Sequence, residues 1–451
     1  MSRLVIIVLA VLLVAGSALA VVTPDPLFSD NAVLQQGIRL PVWGTADAGE
    51  KVTIKIQGQE VSTTAMRSGH WMLHLNPLKA GGPFTMTIND QEIKNVLVGE
   101  VWVCSGQSNM AFQLQRASNG DQAIADSKDP MLRLFLVPKM GLPFDLPQAW
   151  KESNPDTSPT FTAVGYFYGK YLRKSLGVPV GLIDSSVGGT PAEAWTSRPC
   201  LGPHPELNGV ARPYYLYNSM IAPLIPYGIR GAIWYQGEGN AGRAYAYRSL
   251  LPLMIKCWRD AWGEGDFPFL IVQLAPYGKQ NKPGANWPEL REAQLYVTQT
   301  VPMTGLAVTM DVGNCENIHP TQKETVGQRL ALNAEALVYG KKVEYSGPAY
   351  KSMAVEETGG IILSFTHVDG GLVASGGELK SFTIAGEDKN FVPATAVIKG
   401  DQIVVSSPEV PKPVAVRYGW DDCPDANLAN KVGLPASPFR TDDWGWLTKP
   451  E

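Results

Sequence analysis

The sequence predicts an α/β fold, a parallel sheet covered on both faces by helices, with flanking N- and C-terminal β-rich regions. Three observations lead there. From Val101 to about Gly340, short apolar runs alternate with amphipathic stretches, a repeating β-α order that implies parallel strands joined by helices. On either side, short runs bounded by Gly, Asp, Asn and Pro read as antiparallel strands. The 451 residues, 45% apolar and 18% charged, suit a large buried core and a chain of two or three domains. The expected division is a signal peptide at 1–20, an N-terminal β-sandwich-like domain at 21–95, an α/β domain at 96–340 and a C-terminal β-rich region at 341–451.

Arg3, an unbroken apolar run from Leu4 to Ala15, and the small-x-small ending Ala18-Leu19-Ala20 have the layout of an export signal. The run is interrupted at Gly16-Ser17 and short for a bilayer span, so cleavage before Val21 is expected; the alternative is an uncleaved N-terminal anchor, since apolar residues continue through Val22. The mature chain would then be secreted, periplasmic or extracellular (by the lysosomal or secretory route in a eukaryote), without stable membrane insertion. Basic and acidic residues nearly balance, 38 against 42, with no concentrated basic face, which excludes a nucleic-acid partner. Five dispersed cysteines form no C-x-x-C pair, which leaves no zinc ribbon or dithiol site. In an exported chain they allow up to two disulfides and one free thiol, with the pairing left open. His70 and His74 share a strand face without a third ligand, so they read as surface histidines.

Within the N-terminal region, Pro41–Gly44, Lys51–Ile56 and Trp71–Leu75 are the strand candidates. In the middle region they are Val101–Cys104, Val180–Asp184, Ile229–Tyr235, Phe267–Leu274 and Gly305–Asp311. Helices are expected at Phe167–Ser175, Tyr247–Trp262, Trp287–Gln299 and Thr321–Val338. After Gly340 short strands return at Gly360–Val368, Ser381–Ile384, Ala394–Lys399, Ile403–Ser406 and Val414–Tyr418. The tail from Trp420 to Trp446 is expected to lie as an irregular wrap.

Functional groups of a parallel sheet gather at the carboxyl ends of its strands, and four strand ends carry polar clusters. Val101–Cys104 runs into Ser105-Gly106-Gln107-Ser108-Asn109, where a helix starting near Asn109 would favour negative charge at Ser108. The α/β-hydrolase elbow G-x-S-x-G is not met, because Met110 replaces its second glycine, and a helix-capping serine is the alternative. Gly188-Gly189, after Asp184-Ser185-Ser186, lets the backbone approach a ligand with free N–H donors. Gln236 and Asn240 follow Trp234-Tyr235 and suit an oxyanion or a sugar hydroxyl; the alternative is that they only tie loops together. His319, in Glu316-Asn317-Ile318-His319-Pro320, is a base with a carboxylate three residues earlier.

These four clusters resemble the blocks of the SGNH/GDSL hydrolase superfamily, in the branch of sialate O-acetylesterases and related carbohydrate acetylesterases. The similarity runs through Gly99–Met110, Gly188–Trp195, Trp234–Asn240 and Ile318-His319-Pro320 with Lys323 and Val326-Gly327. It extends to Leu290–Gln294 and Gly433–Arg440, nearly the whole mature chain. The resemblance implies a flavodoxin-like SGNH hydrolase domain, a serine esterase acting on O-acetylated carbohydrate, and no metal or organic cofactor. It implies Ser108 as nucleophile and His319 as general base. The oxyanion hole it implies takes the N–H groups of Ser108 and of Gly188 or Gly189, with an amide from Gln236 or Asn240. The chain departs from the family's usual Asp-Ile-His-Pro at Asn317, so the triad acid is expected to be Glu316, with Asp311 or no carboxylate as alternatives. O-acetylated sialic acid is the first expected substrate, which an arginine such as Arg198 or Arg243 would favour. Acetylxylan or another polysaccharide is the second, and a non-catalytic glycan-binding protein of the same fold the third. Trp102, Trp195 and Trp234 are candidate stacking faces for sugar rings, or else core.

Overall fold

The structure is a computed structural model that describes residues 22–138, 149–278, 286–357 and 359–450. The expected signal peptide, 1–20, lies outside the described residues. Seven strands form the central path: β1 (Gln91–Gly106), β2 (Asp129–Leu136), β3 (Lys151–Ser153), β4 (Val180–Ser186), β5 (Gly231–Tyr235), β6 (Phe269–Val272) and β7 (Thr304–Ala307). Their order is β3-β2-β4-β1-β5-β6-β7. All are parallel except the edge strand β3.

The sheet is mixed rather than purely parallel, because β1 serves two regions. Its 16 residues span roughly 50 Å at about 3.3 Å each. The first half pairs antiparallel with Gly81–Ile88 and parallel with Val33–Gln35. The second half lies between β4 and β5. With the hairpin strands Lys51–Ile56 and Gln59–Thr64 the sheet reaches 11 strands. Residues 95 and 96, the expected domain junction, therefore lie inside one strand. A separate three-stranded sheet joins Thr23–Pro24, Leu40–Thr45 and His70–Leu75. Alternation is strict in His70–Leu75, where Trp71, Leu73 and Leu75 are buried and His70 and His74 exposed.

Strand β2 was not foreseen. Pro130 and the buried Arg133, which pairs with Glu152 at 3.3 Å, interrupt its apolar run. Four long helices cover the sheet: α1 (Ala163–Leu176), α2 (Ala244–Trp262), α3 (Trp287–Thr300) and α4 (Lys323–Leu337). α1 and α4 share one apolar core through Phe167, Tyr168, Val326 and Leu330. Gly327 lets them approach closely, since a Cβ there would sit 2.6 Å from Phe167 Cβ. On the other face, α2 and α3 join a core that is continuous with the N-terminal strands, from Leu73 and Leu75 to Trp195, Trp234 and Trp258. Each large apolar side chain buried there contributes on the order of 1.5–3 kcal/mol, so the N-terminal strands and the central sheet stabilise one another.

The C-terminal region builds two four-stranded antiparallel sheets over a third core. The tail is more ordered than expected: Leu428–Asn430 and Phe439–Arg440 are strands. It also grips α3. Arg440 holds Glu292 through two hydrogen bonds of 2.8 and 3.1 Å. Arg291 donates to the carbonyls of Asp421 and Asp422, both at 2.8 Å. Two disulfides, Cys200–Cys257 and Cys315–Cys423, leave Cys104 as the free, buried thiol. Among the described residues, no helix is long and apolar enough to cross a membrane.

Candidate active site

The register of the central strands brings the clusters together. Gly106, the last residue of β1, lies opposite Ser186 at the end of β4 and Tyr235 at the end of β5. The loops that follow all three strands therefore leave the sheet at one level. Gly106 has φ +136°, and a Cβ there would stand 2.2 Å from the Tyr235 carbonyl oxygen. A glycine is required for the chain to turn out at this point. The backbone N–H groups of Met110 and Ala111 then both donate to the Gln107 carbonyl at 2.9 Å, closing a tight turn that carries Ser108. No helix begins near Asn109, contrary to expectation; the first helical turn is the short Leu114–Arg116. The Asn109 side chain is drawn inward instead, so Ser108 gains no helix-dipole field.

His319 comes from the long loop after β7. That loop is fastened at two adjacent residues: Asn314 N–H donates to Pro276 O at 3.1 Å, and Cys315 is bonded to Cys423 of the tail. The Asn314 side-chain oxygen accepts from the N–H groups of Glu316 and Asn317, and the Asn317 side-chain oxygen from the N–H of His319 at 2.9 Å. The result is a hydrogen bond of 2.8 Å between Ser108 Oγ and His319 Nε2. Partial burial, with smaller contributions from the Lys323 and Arg116 charges, holds the imidazole below its usual pKa. It therefore stays neutral, able to accept a proton, further into the acid range.

Among the described residues, no carboxylate oxygen lies within 4.0 Å of a His319 ring nitrogen. Glu316, the expected third member, is exposed, and among the described residues its carboxylate accepts no hydrogen bond, while its backbone N–H donates to Asn314. Asp311 is engaged by Arg329 through two 2.6 Å hydrogen bonds. Asn317 faces the backbone of His319 and not its ring. What the structure brings together is a Ser-His dyad.

Gly188 lies against Ser108; a Cβ on it would be 3.3 Å from Ser108 Cβ. Gly188 and Gly189 are exposed. Among the described residues, the N–H groups of Ser108, Gly188 and Gly189 donate to no protein acceptor. They form a set of donors open to an oxyanion. Gln236 and Asn240 do not, because both are buried and occupied. Gln236 Nε2 donates to Asn240 Oδ1 (2.7 Å) and Thr190 O (3.3 Å), while its oxygen accepts from Tyr247 OH (2.8 Å). Asn240 Nδ2 donates to Glu193 at 2.9 Å, and Glu193 is paired with Arg243. These amides tie the loop after β4 to the loop after β5. Trp102, Trp195 and Trp234 are fully buried and offer no face to a sugar.

Three side chains beneath the dyad, Asn109, Glu238 and Lys323, stand within the stretches quoted from the sequence, which gave them no role. Asn109 Nδ2 donates to Glu238 Oε1 at 2.6 Å and to Ile318 O at 2.9 Å, and Lys323 Nζ donates to Asn109 Oδ1 at 2.5 Å. Lys323 is fully buried between the rings of Phe112 and Tyr235. Burial brings its pKa down to about 7 and pushes the Glu238 carboxyl up. The available signals were their places in the family-like stretches, with Asn109 next to Ser108, Glu238 within Trp234–Asn240 and Lys323 four residues after His319, but none of these places gave a role.

A serine hydrogen-bonded to a histidine beside open backbone donors, at the carboxyl edge of a mostly parallel sheet, is the arrangement that ester hydrolysis calls for, and the comparisons with known proteins place the chain among the carboxylic ester hydrolases. Residues 98–335 match the family model described as "Carbohydrate esterase, sialic acid-specific acetylesterase". The chain is 31% identical to the human sialate O-acetylesterase over 68% of this chain and 69% of that protein. It is 29% identical to the mouse sialate O-acetylesterase over 88% and 90%. A solved structure of a novel carbohydrate acetylesterase from Xanthomonas citri shares 42% identity and a TM-score of 0.87, covering 94% of this chain and 100% of that one. This chain belongs to the sialic acid-specific acetylesterase family of carbohydrate esterases.

Proposed function

We propose that the chain is an exported serine esterase that removes O-acetyl groups from sialic acids by a Ser108–His319 acyl-enzyme mechanism. The observation that carries the reading is the 2.8 Å hydrogen bond between Ser108 Oγ and His319 Nε2, within the range a nucleophile and its base require. His319 takes the Ser108 proton, Ser108 attacks the acetyl carbonyl, and the oxyanion is met by the N–H groups of Ser108, Gly188 and Gly189. His319 returns the proton to the departing sugar oxygen. Water then attacks the acetyl-enzyme with His319 again as base. General base action contributes on the order of 10²–10⁴-fold, and a single oxyanion donor about 10²–10³-fold.

The sialate O-acetylesterase relatives support the substrate, and so does Arg116. It is exposed, makes no ion pair among the described residues, and its charge acts on the His319 ring. A cation left unneutralised there suits a sugar that carries a carboxylate. Arg243 is held by Glu193 and does not serve this purpose. Two disulfides are in keeping with export, and the β5-β1-β4 register with a flavodoxin-like SGNH catalytic unit within 96–340. A second reading is an O-acetylated carbohydrate other than sialic acid, of which acetylxylan is one candidate; the 42% identity to a Xanthomonas citri enzyme described only as a carbohydrate acetylesterase, above that to the sialate enzymes, supports keeping it. Acetate release from O-acetylated sialic acid and acetylxylan, measured side by side with the wild-type and Ser108→Ala proteins, tests both. Release from acetylxylan alone overturns the sialate assignment, and a folded Ser108→Ala protein with full activity overturns the mechanism.

A further inference from the structure

We propose that Lys323 is a positioning residue for the Ser108–His319 pair, acting through Asn109, so that a buried lysine-amide clamp takes over the orienting task of the missing carboxylate. The inference rests on the Ser-His reading above and deepens it.

Asn109 directly follows Ser108, and Ile318 directly precedes His319. The bond from Asn109 Nδ2 to the Ile318 carbonyl (2.9 Å) therefore joins the nucleophile's turn to the base's loop one residue from each reacting side chain. That bond exists only if the amide faces one way, since its oxygen would repel the Ile318 carbonyl. A buried partner and a half-buried one set the orientation. Lys323, a pure donor in its ammonium form, takes the oxygen at 2.5 Å; the Glu238 carboxylate takes the nitrogen at 2.6 Å. Lys323 cannot look elsewhere, because it is fully buried with the Phe112 and Tyr235 rings at 5.0 and 5.1 Å. The three side chains link the loops after β1, β5 and β7, the last through both Ile318 and the first residue of α4. A charge pair held apart by an amide contributes little to net stability once desolvation is counted, whereas orientation of the base bears directly on rate.

The electrostatics run the same way. His319 feels Lys323 and Arg116, both of which oppose its protonation, and Lys323 faces Glu238. Removing the Lys323 cation should raise the proton affinity of His319.

The test uses 4-nitrophenyl acetate, a small acetyl ester without a sugar, and a double-mutant cycle of Lys323→Met and Asn109→Leu. Lys323→Met is expected to lower kcat by about 10–10²-fold with little change in KM, and to move the acid limb of the kcat/KM profile to higher pH. Adding it to Asn109→Leu should cost no more than about twofold further, because the two act as one unit. Additive losses, or a Lys323→Met enzyme with wild-type kcat and acid limb, overturn the proposal. If Asn109→Leu does not fold, the kcat and pH profile of Lys323→Met decide alone. Ser108→Ala, assayed in parallel, separates the two levels: its inactivity with a normal Lys323→Met enzyme rejects only the clamp, and its activity rejects the Ser-His reading.

Discussion

Glu316→Gln removes the carboxylate three residues before His319 and leaves the shape of the loop unchanged. A triad carboxylate hydrogen-bonded to its histidine is worth on the order of 10⁴-fold in kcat. Here the carboxylate is exposed and lies beyond 4.0 Å from either ring nitrogen. Two unit charges at 4 Å in water interact by about 1 kcal/mol, and a solvated pair further apart by less. That bounds the loss at roughly fivefold. The Asn314 side chain that organises the loop binds backbone N–H groups of Glu316 and Asn317, which the substitution retains. Initial-rate kinetics on one acetyl ester at pH 7–8, with melting temperature as the control for folding, measure the effect. A folded Glu316→Gln enzyme slower by more than about 10²-fold, approaching triad loss, would refute the argument and show that Glu316 swings onto His319 during turnover.

Ser108→Ala should lower kcat on 4-nitrophenyl acetate by about 10⁴-fold or more while the melting temperature stays within a few degrees. Since His319 acts as a base only when neutral and its pKa is held below 6.5, activity should fall as pH drops through a value under 6.5; an acid limb in the kcat/KM profile above 6.5 would contradict this. Gly106→Ala should destabilise the fold by about 2–4 kcal/mol, read by chemical denaturation, because φ +136° and the 2.2 Å approach to Tyr235 O leave a Cβ no room. Cys423→Ser opens a bridge spanning 108 residues and should lower stability by about 2–5 kcal/mol, with a fall in kcat as the His319 loop loosens.

Much of the site was legible along the chain. Alternating apolar and amphipathic runs marked five of the central strands and the four long helices, because burial on both faces of a parallel sheet leaves a local apolar signal. Ser108, Gly188 and His319, which the structure places side by side, stood out because polar and glycine-rich clusters recur at strand ends. What pairs with what was decided by tertiary structure. Glu316 looked like the histidine's partner from its spacing, but the loop turns its backbone toward Asn314 and leaves the carboxylate in solvent. Asp311 was drawn to Arg329 of α4, and Gln236 and Asn240 were used up beneath the loops they follow. No periodicity announces such choices, since an amide or carboxylate binds whichever partner packing brings within 3 Å. The same holds for Lys323, whose place in a helix's first turn says surface and whose packing between Phe112 and Tyr235 says core. The two disulfides complete the division: five cysteines were visible from the start, but only the approach of the tail to the His319 loop joined Cys315 to Cys423. Local patterning determined the elements and picked out Ser108 and His319, and the packing of loops against one another determined what brings those two side chains together and holds them in place.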